Sequence, residues 1–327
     1  MSGLKTLSPD LIRPLVILVG PTAVGKTELS IQAARELGAE IICADSRQFY
    51  RGMDIGTAKP TLEERNAVPH HLFDIVDPDQ TLSLAEYQQR AQAVIGEIHA
   101  RGRLPMLVGG TGQYVRCILE GWVIPKQAPN AGLRDLLERW GKQIGAAELH
   151  RRLGVLDAEA ARKIEPENVR RTVRALEVIY STGRLFSEQR TRSGCRYSVK
   201  LIGLSRPRAE LYRRIDARIE DMFTLGLVDE VRGLLEKGYD AHLPTLSAIG
   251  YREVIRYLHG ELSLDEAKAL MRRQTRVFVR RQANWFKPDD PDIRLFPAGE
   301  TTAHEVVDAI RDQEGWILPN DEGEDEK

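Results

Sequence analysis

GPTAVGKT, residues 20–27, is the stretch from which the rest of the chain is read. It fills the pattern G-x-x-x-x-G-K-[ST] with Gly20, Gly25, Lys26 and Thr27, and places Pro21, Thr22, Ala23 and Val24 between the glycines. Glycine at those two places lets successive backbone N–H groups turn inward on oxyanions. A helix that follows adds the positive end of its dipole, Lys26 adds a full charge, and the Thr27 hydroxyl can ligate Mg²⁺. The flanks suit the motif. Leu15 to Val19 (LVILV) is a short apolar run that reads as a buried parallel strand. Lys26 to Leu37 has helical periodicity and stops at Gly38. A strand, a phosphate-binding loop and a helix are the expected unit.

Working outward, three more apolar runs have strand character. They are Glu40–Ala44 (EIICA), Leu104–Val108 (LPMLV) closed by Gly109-Gly110, and Lys200–Leu204 (KLIGL). Helical patterns separate them, so the fold class is α/β, a P-loop NTPase-like core with a central parallel sheet. From about Gly121 to Cys195 no comparable strand occurs. A Pro-containing loop, WVIPKQAPNAG, leads into LRDLLERWGKQ, AAELHRRL, DAEAARKI and ENVRRTVRALEVIYSTG. The expected organisation is a discontinuous core, 1–120 and 197–316, an all-helical insertion at 121–196, and an acidic disordered tail at 317–327. After the Lys200 strand the chain reads as helical almost to its end.

The chain has 327 residues, 42% hydrophobic and 29% charged, with a formal net charge of -1. That profile belongs to a globular protein with a sizeable core. Cys43, Cys117 and Cys195 are far apart, which argues against a disulfide framework or a Cys-rich zinc site and fits a reducing compartment. No apolar run approaches the ~20 residues of a membrane span, and MSGLKTLSPDLIRP lacks a signal core. The expectation is a cytoplasmic protein with no membrane partner. The pair His70-His71 has no further ligand cluster at metal-site spacing, so it reads as structural or as lining the site entrance.

The near-zero net charge hides segregation. The insertion carries Arg134, Arg139, Lys142, Arg151, Arg152, Arg162, Lys163, Arg170, Arg171, Arg174, Arg184, Arg190, Arg192 and Arg196. Met271 to Lys287 (MRRQTRVFVRRQANWFK) contains no acid. One such run is as well explained by a solvated helix face. Two of them in a chain that also binds phosphate point to a polyanion.

A phosphate loop alone suggests ATP. A kinase also needs an acid at a strand end to organise Mg²⁺. LPMLVGGTG offers none, whereas EIICADSRQFY offers Asp45. A strand's C-terminal end beside the loop is where open α/β sheets bind ligands. Asp45 is therefore a metal-organising acid or another catalytic group, the structural alternative being a cap on the next segment.

At this point several stretches together resemble the tRNA dimethylallyltransferases, also called tRNA isopentenyltransferases. They are GPTAVGKT at 20–27, ADSRQFYRGMDIGTAKP at 44–60, VPHHLFDIVDP at 68–78, LVGGTGQY at 107–114 and RALEVIYSTG at 174–183. LIGLSRPR at 201–208, LYRRIDARIEDM at 211–222, AIGYREV at 248–254 and RRQANWF at 280–286 continue the match. The resemblance runs in order over nearly the whole chain and is of the compact bacterial type, without the zinc finger of many eukaryotic members. Gln113 departs from the aliphatic residue usual after GGTG.

The resemblance implies prenyl transfer from dimethylallyl diphosphate to N6 of adenosine 37 in the tRNA anticodon stem-loop, with Mg²⁺ and without ATP. An exocyclic amine is a poor nucleophile, so a base must accept its proton; Asp45 matches the family's catalytic residue. The leaving diphosphate needs its growing charge neutralised. Lys26, Thr27 with Mg²⁺ and the loop N–H groups serve from one side, Arg214 and Arg218 from another, unless those arginines only pair with Asp216 and Glu220. Thr111 resembles a position that touches the adenosine or orients the reacting groups, and a helix N-cap is the plainer role. On the tRNA side, Asp45, Ser46, Arg47 and Gln48 resemble the base-contact segment. Val169, Arg170, Arg171, Thr172, Val173 and Arg174 resemble the backbone contact. Arg281 and Gln282 lie in the second basic segment, where Gln282 reads as an exposed base or sugar contact, and Trp285 reads as core before stacking platform. A monomer is expected. The competing readings are a small-molecule or nucleoside kinase, a prenyltransferase acting on free AMP, and an RNA-binding protein with a non-catalytic loop.

Overall fold

The computed structural model describes residues 13–124, 130–188, 193–287, 289–299, 302–312 and 316. The acidic tail expected at 317–327, and Arg190 and Arg192 of the basic set, lie outside them. The chain divides into two compact units, Met1–Leu119 with Cys195–Lys327, and Glu120–Gly194.

In chain order the first unit opens with β1 (Pro14–Val19), α1 (Lys26–Leu37), β2 (Ala39–Cys43), α2 (Leu62–Ala67), β3 (His70–His71), α3 (Leu84–Ala100), β4 (Leu104–Gly109) and α4 (Gly112–Leu119). The second unit contributes α5 (Ala131–Ile144), α6 (Ala146–Leu156), α7 (Ala158–Lys163) and α8 (Val169–Thr182). The first unit then resumes with β5 (Ser198–Ser205), α9 (Arg208–Thr224), α10 (Leu227–Glu236), α11 (Tyr251–Leu258), α12 (Leu264–Gln282), β6 (Arg294–Pro297) and α13 (Thr302–Arg311).

The sheet has six strands in the order β3-β2-β4-β1-β5-β6, and every pairing is parallel. β1 lies between β4 and β5, with Val19 opposite both Gly109 and Gly203. Leu15 to Val19 are at most 1% exposed. Such a run needs helices on both faces, which is why it alternates with nothing polar. The four strands expected from their apolar runs are present. Two further ones extend the sheet at its edges. β3 has only two residues and β6 carries an exposed Arg294, so neither has the continuous apolar signature that marks the central strands. The stretch after β5 is therefore not helical to its end; β6 pairs with β5 through Gly203↔Leu295.

The named elements of the second unit are all helices, and it has its own core of Leu137, Leu149, Leu153, Ile164, Val173, Leu176 and Ile179. Its charges are organised by Glu177, whose side chain is 1% exposed. This carboxylate accepts the Asn130 N–H at 2.9 Å, a fork of bonds from Arg134, and an ion pair from Arg174 at 3.0 Å. A buried carboxylate is tolerated only with such compensation.

Candidate active site at the phosphate loop

The site is assembled at the C-terminal ends of β1, β2 and β4. The loop after β1 turns sharply. Gly25 has φ 110°, a left-handed conformation open to glycine, and Ala23 adopts φ 67° without being glycine. Non-glycine residues are held that way where surrounding contacts compel it. Here two arginines supply them. Arg214 Nε donates to the Ala23 carbonyl and Arg206 Nε to the Val24 carbonyl, each at 2.8 Å. The Lys26 ammonium donates to the carbonyls of Gly20 and Pro21 at 2.9 Å. Burial pushes its pKa down to about 8; the Asp45 carboxylate opposes that shift and the Arg218 guanidinium adds to it. Burial likewise lowers Arg218, with Asp45 opposing. Lys26, Asp45 and Arg218 thus lie within electrostatic reach of one another.

Asp45 leaves β2 at its C-terminal end. Its Oδ1 accepts the Arg47 N–H at 3.0 Å, so the capping role is real. Among the described residues its Oδ2 has no hydrogen-bond partner, which leaves one oxygen free to take a proton. The segment behind it is locked in place. Phe49, Tyr87 and Tyr114 form an aromatic cluster with ring centroids 4.3–5.4 Å apart. The Tyr87 hydroxyl donates to the Cys43 carbonyl at 3.0 Å. Lys59, with its side chain 1% exposed, donates to the Tyr50 carbonyl, Asp54 and Asp74. Glu230 accepts three consecutive backbone N–H groups, from Asp54, Ile55 and Gly56, and the Tyr251 hydroxyl.

The other expected site residues divide. Thr111 does not cap α4 with its side chain; its Oγ1 accepts the Ser46 N–H at 3.2 Å, tying the β4–α4 turn to the Asp45 segment. Arg214 and Arg218 do not pair with Asp216 and Glu220. Those acids are taken by Arg276, Arg272 and Lys268 of α12, so both arginines remain uncompensated by them. Arg47 donates to the carbonyls of Pro244 and Thr245, and Gln48 Nε2 to those of Thr57 and Ala58. Gln48 is thereby committed to the fold. Gln113 is exposed.

Three expectations need correction. Gln282 is 6% exposed, not a solvent-facing contact. Its Oε1 accepts from Thr22 N and Oγ1, and its Nε2 donates to the Gly110 carbonyl. Trp285 is 39% exposed and is not core. In α8, Thr172 and Val173 are buried and Arg174 is held by Glu177; only Arg170 and Arg171 present exposed cations. Helical spacing explains the last point, because one face of an amphipathic helix must enter the core. His70 Nδ1 lies 2.8 Å from the Val68 carbonyl and His71 Nε2 lies 2.7 Å from Glu40 Oε2. Arg206, Lys59 and Glu230 were not singled out from sequence. The polar SRPR directly after an apolar strand was the available signal for Arg206.

The Thr27 hydroxyl, in the first turn of α1, makes no hydrogen bond among the described residues. Mg²⁺ typically takes one or two protein oxygens and fills its sphere with phosphate oxygens and water. The donor set therefore suits that ion when it arrives with a phosphate ligand.

Comparisons with known proteins bear on the family and the fold. A family model described as IPP transferase matches residues 48–289, and one described as isopentenyl transferase matches 14–74. The tRNA dimethylallyltransferase of Roseiflexus sp. (strain RS-1) is 51% identical over 93% of this chain and 99% of its own. That of Thermomicrobium roseum is 50% identical over 84% of each. The solved structure of a full-length tRNA isopentenylpyrophosphate transferase from Bacillus halodurans superposes with TM-score 0.68 at 40% identity, covering 91% of this chain and 96% of that one. A eukaryotic dimethylallyltransferase solved in the course of acting on tRNA gives TM-score 0.77 at 27% identity, covering 91% and 77%. With a parallel P-loop NTPase-like core and a family model spanning most of its length, this chain belongs to the IPP transferase family, the tRNA dimethylallyltransferases.

Proposed function

We propose that this chain transfers the dimethylallyl group of dimethylallyl diphosphate to N6 of adenosine 37, beside the anticodon of tRNA. The observation that carries the reading is the free Asp45 oxygen within electrostatic reach of Lys26 and Arg218. A base and two cations on one rim suit a reaction in which a proton and a diphosphate leave together. N6 bonds to the allylic carbon, the carbon–oxygen bond breaks, and the electron pair departs with diphosphate. The N6 proton passes to Asp45 Oδ2.

Lys26, Arg218, Arg214 and the loop N–H groups would hold the diphosphate as charge builds on its bridging oxygen. Lys26 already spends its protons on two carbonyls of its own loop, a pairing that an anionic oxygen can replace at little cost. Thr27 would hold Mg²⁺, which when bound supplies further neutralisation of the diphosphate. Thr111, fixed to Ser46, would orient the adenosine or the reacting groups. Ser46 and Arg47 would face the tRNA loop, where the target base must leave its stack. Arg170 and Arg171 of α8 and Arg281 of α12 are exposed cations suited to the tRNA backbone.

The reading includes a monomer working in the cytoplasm. The three free cysteines suit a reducing compartment, and no helix among the described residues is long and apolar enough to cross a membrane.

The deciding assay uses dimethylallyl diphosphate labelled in the prenyl group, Mg²⁺ and unmodified tRNA with adenosines at positions 36 to 38. No ATP is added. Label in the tRNA is the expected result. Transfer that requires ATP, or label appearing only in free AMP, overturns the reading.

A further inference from the structure

Gln282 ends α12, and its side chain is almost fully buried. Its carbonyl oxygen accepts twice from one residue of the phosphate loop, from Thr22 N at 2.9 Å and Thr22 Oγ1 at 3.2 Å. Its amide nitrogen donates to the Gly110 carbonyl at 3.2 Å, in the turn that leads to Thr111. The fit has no slack: a Cβ at Gly110 would stand 2.4 Å from Gln282 Nε2. The residues after Gln282 are also fastened. Trp285 packs over Gly112, where a Cβ would stand 2.1 Å from its ring. Arg116 donates to the Trp285 carbonyl at 3.1 Å and pairs with Asp290 at 3.0 Å.

We propose that Gln282 is a positioning residue that sets the phosphate loop against the β4–α4 turn, and so fixes the diphosphate cradle relative to Thr111 and Asp45. The proposal rests on the prenyl-transfer reading above. The chain of contacts is direct. Gln282 holds Thr22 and Gly110; the Gly110–Thr111 turn holds Ser46 through the Thr111 hydroxyl; Ser46 follows Asp45. A primary amide is suited to this place because it offers an acceptor and a donor on one rigid plane. Its carbonyl satisfies a loop N–H of Thr22 without bringing a charge near the anion. With its oxygen and one amide N–H engaged inside the fold and only 6% of the residue exposed, Gln282 is poorly placed to read a tRNA base.

The test separates the two polar partners of the enzyme. Gln282→Met keeps the length and burial and removes all three bonds. Inorganic diphosphate serves as the probe of the cradle, through its inhibition constant against the prenyl donor. tRNA affinity is measured by filter binding at several salt concentrations. Losing these three hydrogen bonds predicts that the diphosphate inhibition constant and the single-turnover rate at saturating tRNA worsen by about tenfold to a hundredfold. The tRNA dissociation constant should change by less than about threefold, with an unchanged salt slope. If Gln282→Met melts below the assay temperature, Gln282→Glu replaces it: the size is kept, and the added carboxylate should weaken diphosphate and spare tRNA. A tRNA affinity that falls while the diphosphate constant holds overturns the proposal, as does a folded variant with both unchanged. Transfer by the wild-type enzyme, run alongside, tests the underlying reaction separately.

Discussion

The phosphate-loop end of the core and the helical insertion are both rich in cations, but they spend them differently. In the insertion, Arg151 and Arg152 share Glu148, Lys163 pairs with Glu159, Arg139 with Asp135, and Arg134 and Arg174 with Glu177. At the loop, Lys26 and Arg214 donate to backbone carbonyls, and Arg206 does so with one nitrogen while pairing with Glu210 through another. A carbonyl satisfies a donor's geometry without cancelling its charge, whereas a carboxylate does both. The loop therefore keeps a field for an anion. Among its described residues, Arg170 and Arg171, both expected to meet tRNA, are exposed and have no acidic partner. Counting basic residues overstates the second region and understates the first.

The strongest way to break this contrast is to remove the base. Asp45→Ala should cut turnover by about 10²–10⁴-fold, the range of general-base catalysis, while tRNA affinity changes little. Loss of tRNA affinity in step with turnover would assign Asp45 to recognition instead. Next in size is Arg218→Ala, which should lower the rate by about 10²–10³-fold if it neutralises the leaving group. A normal rate with a weaker donor KM would restrict it to ground-state binding.

The third effect is a pH dependence. Burial lowers the Lys26 pKa to about 8, so the ammonium is charged below that pH and is lost as pH rises through it. Bound diphosphate favours the charged form. Its inhibition constant should be flat below about pH 8 and weaken by up to about tenfold per pH unit above it. Lys26→Arg should flatten that slope over the same range; an unchanged profile would place the titration elsewhere.

The smallest effects sharpen the insertion's side. Arg170→Ala and Arg171→Ala should each lower the salt slope of tRNA binding by about 1. Arg151→Ala, whose charge is already spent on Glu148, should leave it in place. Equal slopes for all three would erase the distinction between free and paired cations.

The uneven legibility of the sequence follows from what each residue's role depends on. β1, β2, β4 and β5 were readable because two-sided burial demands a continuous apolar run. β3 and β6 were not, because two or four edge residues carry too little pattern. The loop was readable because its chemistry is local: eight consecutive residues contain the turn, the donors and the charge. Asp45 was readable because a strand end in an α/β sheet is a functional position whatever surrounds it.

Gln282 shows the limit. Beside Arg280 and Arg281 it reads as exposed, since nothing within α12 says which way its last turn faces. Its partners, Thr22 and Gly110, are 260 and 172 residues away, and only the closed fold brings them within hydrogen-bond range. The partners of Asp216 and Glu220 likewise come from α12, not from their own helix. The sequence by itself determined the sheet's core, the phosphate loop, the candidate base and the family. Tertiary structure decided which cations stay uncompensated and which polar side chains are spent inside the fold. Charge pairing and burial depend on contacts between residues distant in the chain, and no local pattern encodes them.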